Sequence, residues 1–131
     1  MRVDGLETAL TAARVAVLVG RRDLALASPA GGGLSGGGGW WAALLARVRA
    51  AEPELTVTGL LDCLDSAGAA LAALRAGCED IVFDGPEPVA ERLAAVAEAV
   101  GARLHRGPVA VFDPAGSRDP RAALAAHLRE P

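Results

Sequence analysis

LTVTGLLDCLDSAGAALAALRAGCEDIVFD, residues 55–84, holds one complete strand–helix–strand unit, and its reading decides the fold. Leu55 to Leu61 is apolar and rich in strand-forming residues. Asp65 or Ser66 caps a helix whose apolar stripe is Ala67, Ala70, Leu71 and Leu74. Gly77 closes that helix. Ile81-Val82-Phe83 is then short and apolar at every position, as in a strand of a parallel sheet covered on both faces.

The same cadence extends in both directions. Upstream, Leu24 to Ala27 reads as a strand, and Trp41, Leu44, Leu45 and Val48 at helical spacing read as a helix ended by Pro53. Downstream, Pro86 and Pro88 open a helix with Val89, Leu93, Val96 and Val100 on one face, and Gly101 closes it before a strand at Arg103–His105. Strand starts near 24, 55, 80 and 103 separated by helices are βαβ units, whose right-handed crossovers make the strands parallel. Asp4 and Glu7 start a first helix with Leu6, Leu10, Ala13 and Val17 on one face, ended by Gly20; a strand over Val15–Val19 is the competing reading. Val109–Phe112 follows the preceding strand too closely for a parallel crossover, so it is a hairpin edge strand or an extended tail. Asp119-Pro120 caps a last helix with Leu124 and Leu128 inward. The expectation is one α/β domain over 1–131, a three-layer fold with a mostly parallel sheet of four to five strands, Rossmann-like or flavodoxin-like. Half a barrel is the alternative. Leu44, Leu71, Leu74, Ile81, Phe83, Leu93 and Val96 are the expected core.

The chain has 131 residues and is 52% hydrophobic, which excludes disorder, although much of that fraction is Ala. Lys, Asn, Gln and Tyr are absent; the bias to Ala, Gly, Arg and Pro is that of a high-GC bacterial genome. A net charge of −3 with scattered Arg gives no footprint for nucleic acid. No apolar run is long enough to span a membrane, and Asp4 and Glu7 break any export-signal layout. The cytoplasm is the expected compartment, and Cys63 and Cys78 are expected to be reduced thiols.

Ligands of an open parallel sheet sit beyond the carboxyl ends of the strands. That rule selects Ser28, Asp62, Asp84 and Arg106 as ligand-binding candidates, together with Gly36, Gly37 and Gly38 from the span Pro29–Gly39, which contains seven Gly. Backbone N–H groups before a helix favour an anion. The span lacks the phosphate-loop Lys, however, so a flexible solvent loop is the plainer reading. Asp62, Asp65 and Asp84 could hold Mg²⁺, but capping and turn duties account for Asp65 and Asp84. Cys63 at a strand exit could be a stabilised thiolate, yet no His is adjacent in sequence, and an inert buried thiol fits better. Trp41 belongs to the core stripe, which leaves Trp40 as a lid over the glycine span or a partner contact.

The stretch Ala69–Phe83, AALAALRAGCEDIVF, resembles the helix-to-strand units of TIM-barrel aldolases and lyases, and also short uncharacterised α/β proteins of high-GC bacteria. The resemblance implies Gly-capped helices feeding parallel strands. It implies no activity, because the Schiff-base Lys of class I aldolases has no counterpart here. Half a barrel of this kind would close only by dimerising.

The expected function is a non-catalytic or regulatory α/β module that binds a small anionic ligand or a protein partner, with a homodimer as one such assembly. The alternative is a small lyase or phosphate-handling enzyme using Asp62, Asp84 and the glycine span. No cofactor is implied.

Overall fold

A computed structural model describes residues 1–114 and 118–129. The short apolar runs form strands β1 (Asp23–Ala27), β2 (Thr56–Asp62), β3 (Asp80–Phe83) and β4 (Arg103–Arg106). They pair in parallel in the order β1-β2-β3-β4. The helices are α1 (Leu6–Leu18), α2 (Gly32–Ser35), α3 (Gly37–Ala51), α4 (Ala67–Arg75), α5 (Glu87–Ala99) and α6 (Pro120–Arg129). The chain is thus an α/β fold with an all-parallel sheet, and α1 is helical where a strand over Val15–Val19 was the competing reading.

Strand order runs without reversal, as in half of an eight-stranded barrel, so successive right-handed crossovers stack on one side. Helices α6, α1, α3, α4 and α5 pack edge to edge in that sequence. Against them the sheet turns Leu24, Leu26, Val57, Leu61, Ile81 and Phe83, all buried. Gly59 lies on this face because a Cβ there would come within 2.4 Å of the Leu45 side chain. The opposite face carries Ala25, Thr56 and Thr58 in solvent. Residues 107–112 cross the carboxyl-end half of that opposite face. Gly107 N–H donates to Phe83 O at one end, and Arg2 N–H donates to Phe112 O at the other. Val109–Phe112 is therefore an extended tail, not a hairpin strand.

The sheet edges differ. Residues 1–3 lie along the outer edge of β1: Arg2 pairs in parallel with Ala27, Val3 N–H donates to Ala27 O, and Ala27 N–H donates to Met1 O. A second copy therefore cannot complete a barrel through β1 while those residues are in place.

Several expected details need correction. The span 29–39 is not a solvent loop: Gly32–Ser35 is helical and α3 starts at Gly37. Three of its glycines serve packing. A Cβ at Gly32 would lie 2.7 Å from Ser28 Oγ, one at Gly33 2.8 Å from Cys63 Sγ, and one at Gly38 2.7 Å from Ala73 Cα. The helix stripes are also shifted towards alanine. In α4 the buried residues are Ala70, Ala73 and Leu74, leaving Leu71 half-buried; in α5 they are Ala90, Leu93 and Ala97, leaving Val96 and Val100 exposed. Alanine lets a helix axis approach the sheet closely, and the larger side chains then fill the flanks. At the start of α1, Thr8 and not Glu7 closes the cap: its Oγ1 donates to Asp4 Oδ1 and accepts from the Asp4 and Gly5 N–H groups. Ser66 caps α4 by accepting from Ala69 N–H. Leu124 and Leu128 of α6 are buried as expected.

Candidate functional site

Parallel pairing places directly opposed residues on the same face, so the register defines rows across the sheet. One row on the face away from the helices runs Arg2, Ala27, Leu60, Asp80, Arg103. The next holds Asp62, Val82 and His105. Over the first part of these rows the segment 108–111 forms a roof. Between floor and roof lies a cavity of about 240 Å³, with Ala27, Leu60 and Val82 below and Pro108, Val109 and Val111 above. Arg2, Ser28, Asp62 and Asp84 also line it. The structure thus brings together Ser28, Asp62 and Asp84 of the expected set.

Their hydrogen bonds separate structural from available groups. Ser28 Oγ donates to Pro29 O and accepts the Asp62 N–H at 3.0 Å, which ties the ends of β1 and β2 together. Asp62 Oδ1 accepts the Leu64 N–H at 3.0 Å and Oδ2 accepts the Gly31 N–H at 3.2 Å. The first is an Asx turn, and it holds Leu64 in the left-handed region at φ 49°. Leu64, on the cavity rim, is the one non-glycine residue with positive φ among the described residues. The Asp84 carboxylate and the Arg2 guanidinium have no hydrogen-bond or ion-pair partner among the described residues, so they are the charged groups free to meet a ligand.

The other candidates lie elsewhere. Gly38 is packed against Ala73 of α4, and the half-buried Trp40 lays its ring beside the exposed Gly36, one helical turn before it. Gly37 takes a left-handed φ of 84° at the join between α2 and α3. Arg106 pairs with Glu87 and does not line the cavity. Asp65 is exposed, and among the described residues no group of three or more His, Cys, Asp or Glu could hold a metal ion. Cys63 is fully buried, and burial together with the Asp62 charge pushes its thiol up to about 12, so it is no thiolate near neutral pH. His127 stacks on Phe112 with ring centroids 4.0 Å apart, which fastens the end of the roof to α6.

Two features escape a reading of the sequence. Arg2 reaches the site only because residues 1–3 pair with β1, and nothing near position 2 signals this. The second is a cluster on the same face: Arg103 donates from Nε and Nη2 to both Asp80 oxygens at 2.9 and 3.1 Å, and His105 Nε2 lies 2.9 Å from Asp80 Oδ1. Burial of the Asp80 carboxyl raises its pKa, but the hydrogen bonds and charges of Arg103 and His105 outweigh this and hold it below the ordinary carboxylate range. The alternation Arg103-x-His105 was the available signal, since i and i+2 share a strand face.

No helix among the described residues is long and apolar enough to cross a membrane. Compared with protein-family models, with curated proteins and with solved structures, the chain has no match.

Proposed function

We propose that this chain is a non-catalytic binding module for a small anionic ligand, held in the cavity between the sheet and the segment 108–111. The observation that carries the reading is the unpaired Arg2 at the wall of a roofed cavity of about 240 Å³. A guanidinium without a carboxylate partner beside apolar walls favours an anion strongly, because a low local dielectric strengthens the pairing. The anion is therefore placed on Arg2, not on the glycine span, whose buried glycines are taken up by packing.

The enzyme alternative draws less support. Asp62 spends both oxygens on backbone N–H groups, and the Cys63 thiol is buried and protonated. Among the described residues no His lines the cavity, and of its two lining carboxylates Asp84 is the one without a hydrogen-bond partner to engage in proton transfer. The test is a thermal-shift screen of a fragment library against the wild-type chain and Arg2→Gln. Anionic fragments should raise the melting temperature of the wild type and lose that effect in Arg2→Gln. Equal responses from both proteins would remove Arg2, and the site with it, from the account.

A further inference from the structure

We infer that the ligand is a short carboxylate with an apolar body and a hydrogen-bond donor at its far end, an ω-amino or ω-hydroxy acid, and not a phosphate ester; this rests on the binding-module reading above. Few groups along the cavity are free. Arg2 stands outside β1, and Asp84 follows β3. Three steps of about 4.8 Å between strands put their backbones about 14 Å apart across the sheet. Between them, Ser28 Oγ and both Asp62 oxygens already have backbone partners. What remains is an apolar floor of Ala27, Leu60 and Val82 beneath Val109 and Val111. A ligand here finds one cation at one end, one hydrogen-bond-accepting carboxylate at the other, and hydrocarbon between.

Charge selects the same class. Among the described residues the lining holds two carboxylates and one guanidinium. A phosphate monoester carries about −1.5 to −2 near neutral pH and would meet net repulsion. A carboxylate carries one charge, which Arg2 alone can pair in bidentate fashion. Size agrees: about 240 Å³ at about 30 Å³ per water-sized element admits about eight non-hydrogen atoms. A zwitterion with adjacent charges, such as an α-amino acid, cannot reach both ends.

The experiment is a ¹H–¹⁵N NMR titration of the full chain with 6-aminohexanoate, hexanoate, hexylamine and inorganic phosphate. The account expects 6-aminohexanoate to move the amide signals of Ala27, Leu60, Val82 and Val109. It should bind about tenfold more tightly than hexanoate, the worth of one charged hydrogen bond, with hexylamine and phosphate weaker still. Asp84→Asn should bring 6-aminohexanoate down to the level of hexanoate, and Arg2→Gln should weaken both carboxylates about tenfold, with melting temperatures unchanged. Phosphate or hexylamine binding more tightly than 6-aminohexanoate would overturn the ligand class. Silence of all four probes beside a fragment-library hit on the same amides would overturn the class but leave the module. Silence of the library as well would remove both.

Discussion

The two faces of the sheet are built by different rules. Towards the helices the strands present Leu, Ile, Val and Phe; α1, α4 and α5 answer with alanine (Ala9, Ala12, Ala13 and Ala16; Ala70 and Ala73; Ala90 and Ala97), and α3 with Trp41, Leu44, Leu45 and Val48. Towards the roof the strands present Ala25, Thr56, Thr58, Leu60 and Val82, with the Asp80–Arg103–His105 cluster beside them, and one irregular segment covers only part of this surface. The first face is filled and carries stability. The second is left partly open and carries Arg2 and Asp84, neither with a partner among the described residues. In a doubly wound sheet helices would close both faces, and the ligand crevice would lie at a reversal of strand order. Here the order has no reversal, and the cavity lies on the uncovered face itself.

Truncation should separate the faces by the largest margin. Phe83→Ala and Trp41→Ala, both within the helix-covered core, should each cost about 3–5 kcal/mol in urea unfolding. Thr58→Ala on the opposite face should stay within about 0.5 kcal/mol. Comparable losses from both faces would show that the open face carries stability as well.

Adding a methyl group separates packed from open glycines. Gly38→Ala places a Cβ 2.7 Å from Ala73 Cα and should destabilise by about 1–3 kcal/mol. Gly39→Ala, where a Cβ meets nothing within 4 Å, should instead stabilise the helix by up to about 1 kcal/mol. Two substitutions one residue apart would then have opposite signs.

At the cavity rim, Leu64→Gly should relieve the left-handed backbone and leave the chain as stable as wild type or about 1 kcal/mol more so. A loss of stability would show that the exposed Leu64 side chain packs for stability.

The smallest effect is electrostatic. The Asp80 pKa is depressed in the folded chain, so its stabilising contribution is fully present above the unfolded value near 3.8 and is lost as pH falls through the lower folded value. Melting temperature should therefore fall below about pH 4, and Asp80→Asn should flatten that acid limb while lowering stability at neutral pH. An unchanged acid limb in Asp80→Asn would assign acid unfolding to other carboxylates.

The fold was legible because hydrophobic period and glycine punctuation act locally. Leu24–Ala27, Leu55–Leu61 and Ile81–Phe83 announce buried strands, and Gly20, Gly77 and Gly101 end helices with positive φ. Helix faces were less legible, since bulk ranks Leu71 and Val96 as core while the close approach of helix to sheet demands alanine there. Glycines 32, 33 and 38 misled for the same reason: the sequence displays their flexibility and not the side chains that would collide with a Cβ. The site was half legible. Strand exits locate Ser28, Asp62 and Asp84, but Arg2 and the segment 108–111 arrive by pairings between residues far apart in the chain, and no local pattern encodes those.

If the partly open face is the working face, filling its cavity must displace the ligand. Ala27→Leu adds three carbons to the floor of a cavity of about 240 Å³. The measurement is the affinity of 6-aminohexanoate for wild type and for Ala27→Leu, alongside their melting temperatures. The melting temperature should equal or exceed that of wild type, because the added apolar surface enters existing space, and binding should weaken by at least about tenfold. Undiminished binding by the filled variant would place the ligand elsewhere and contradict the account.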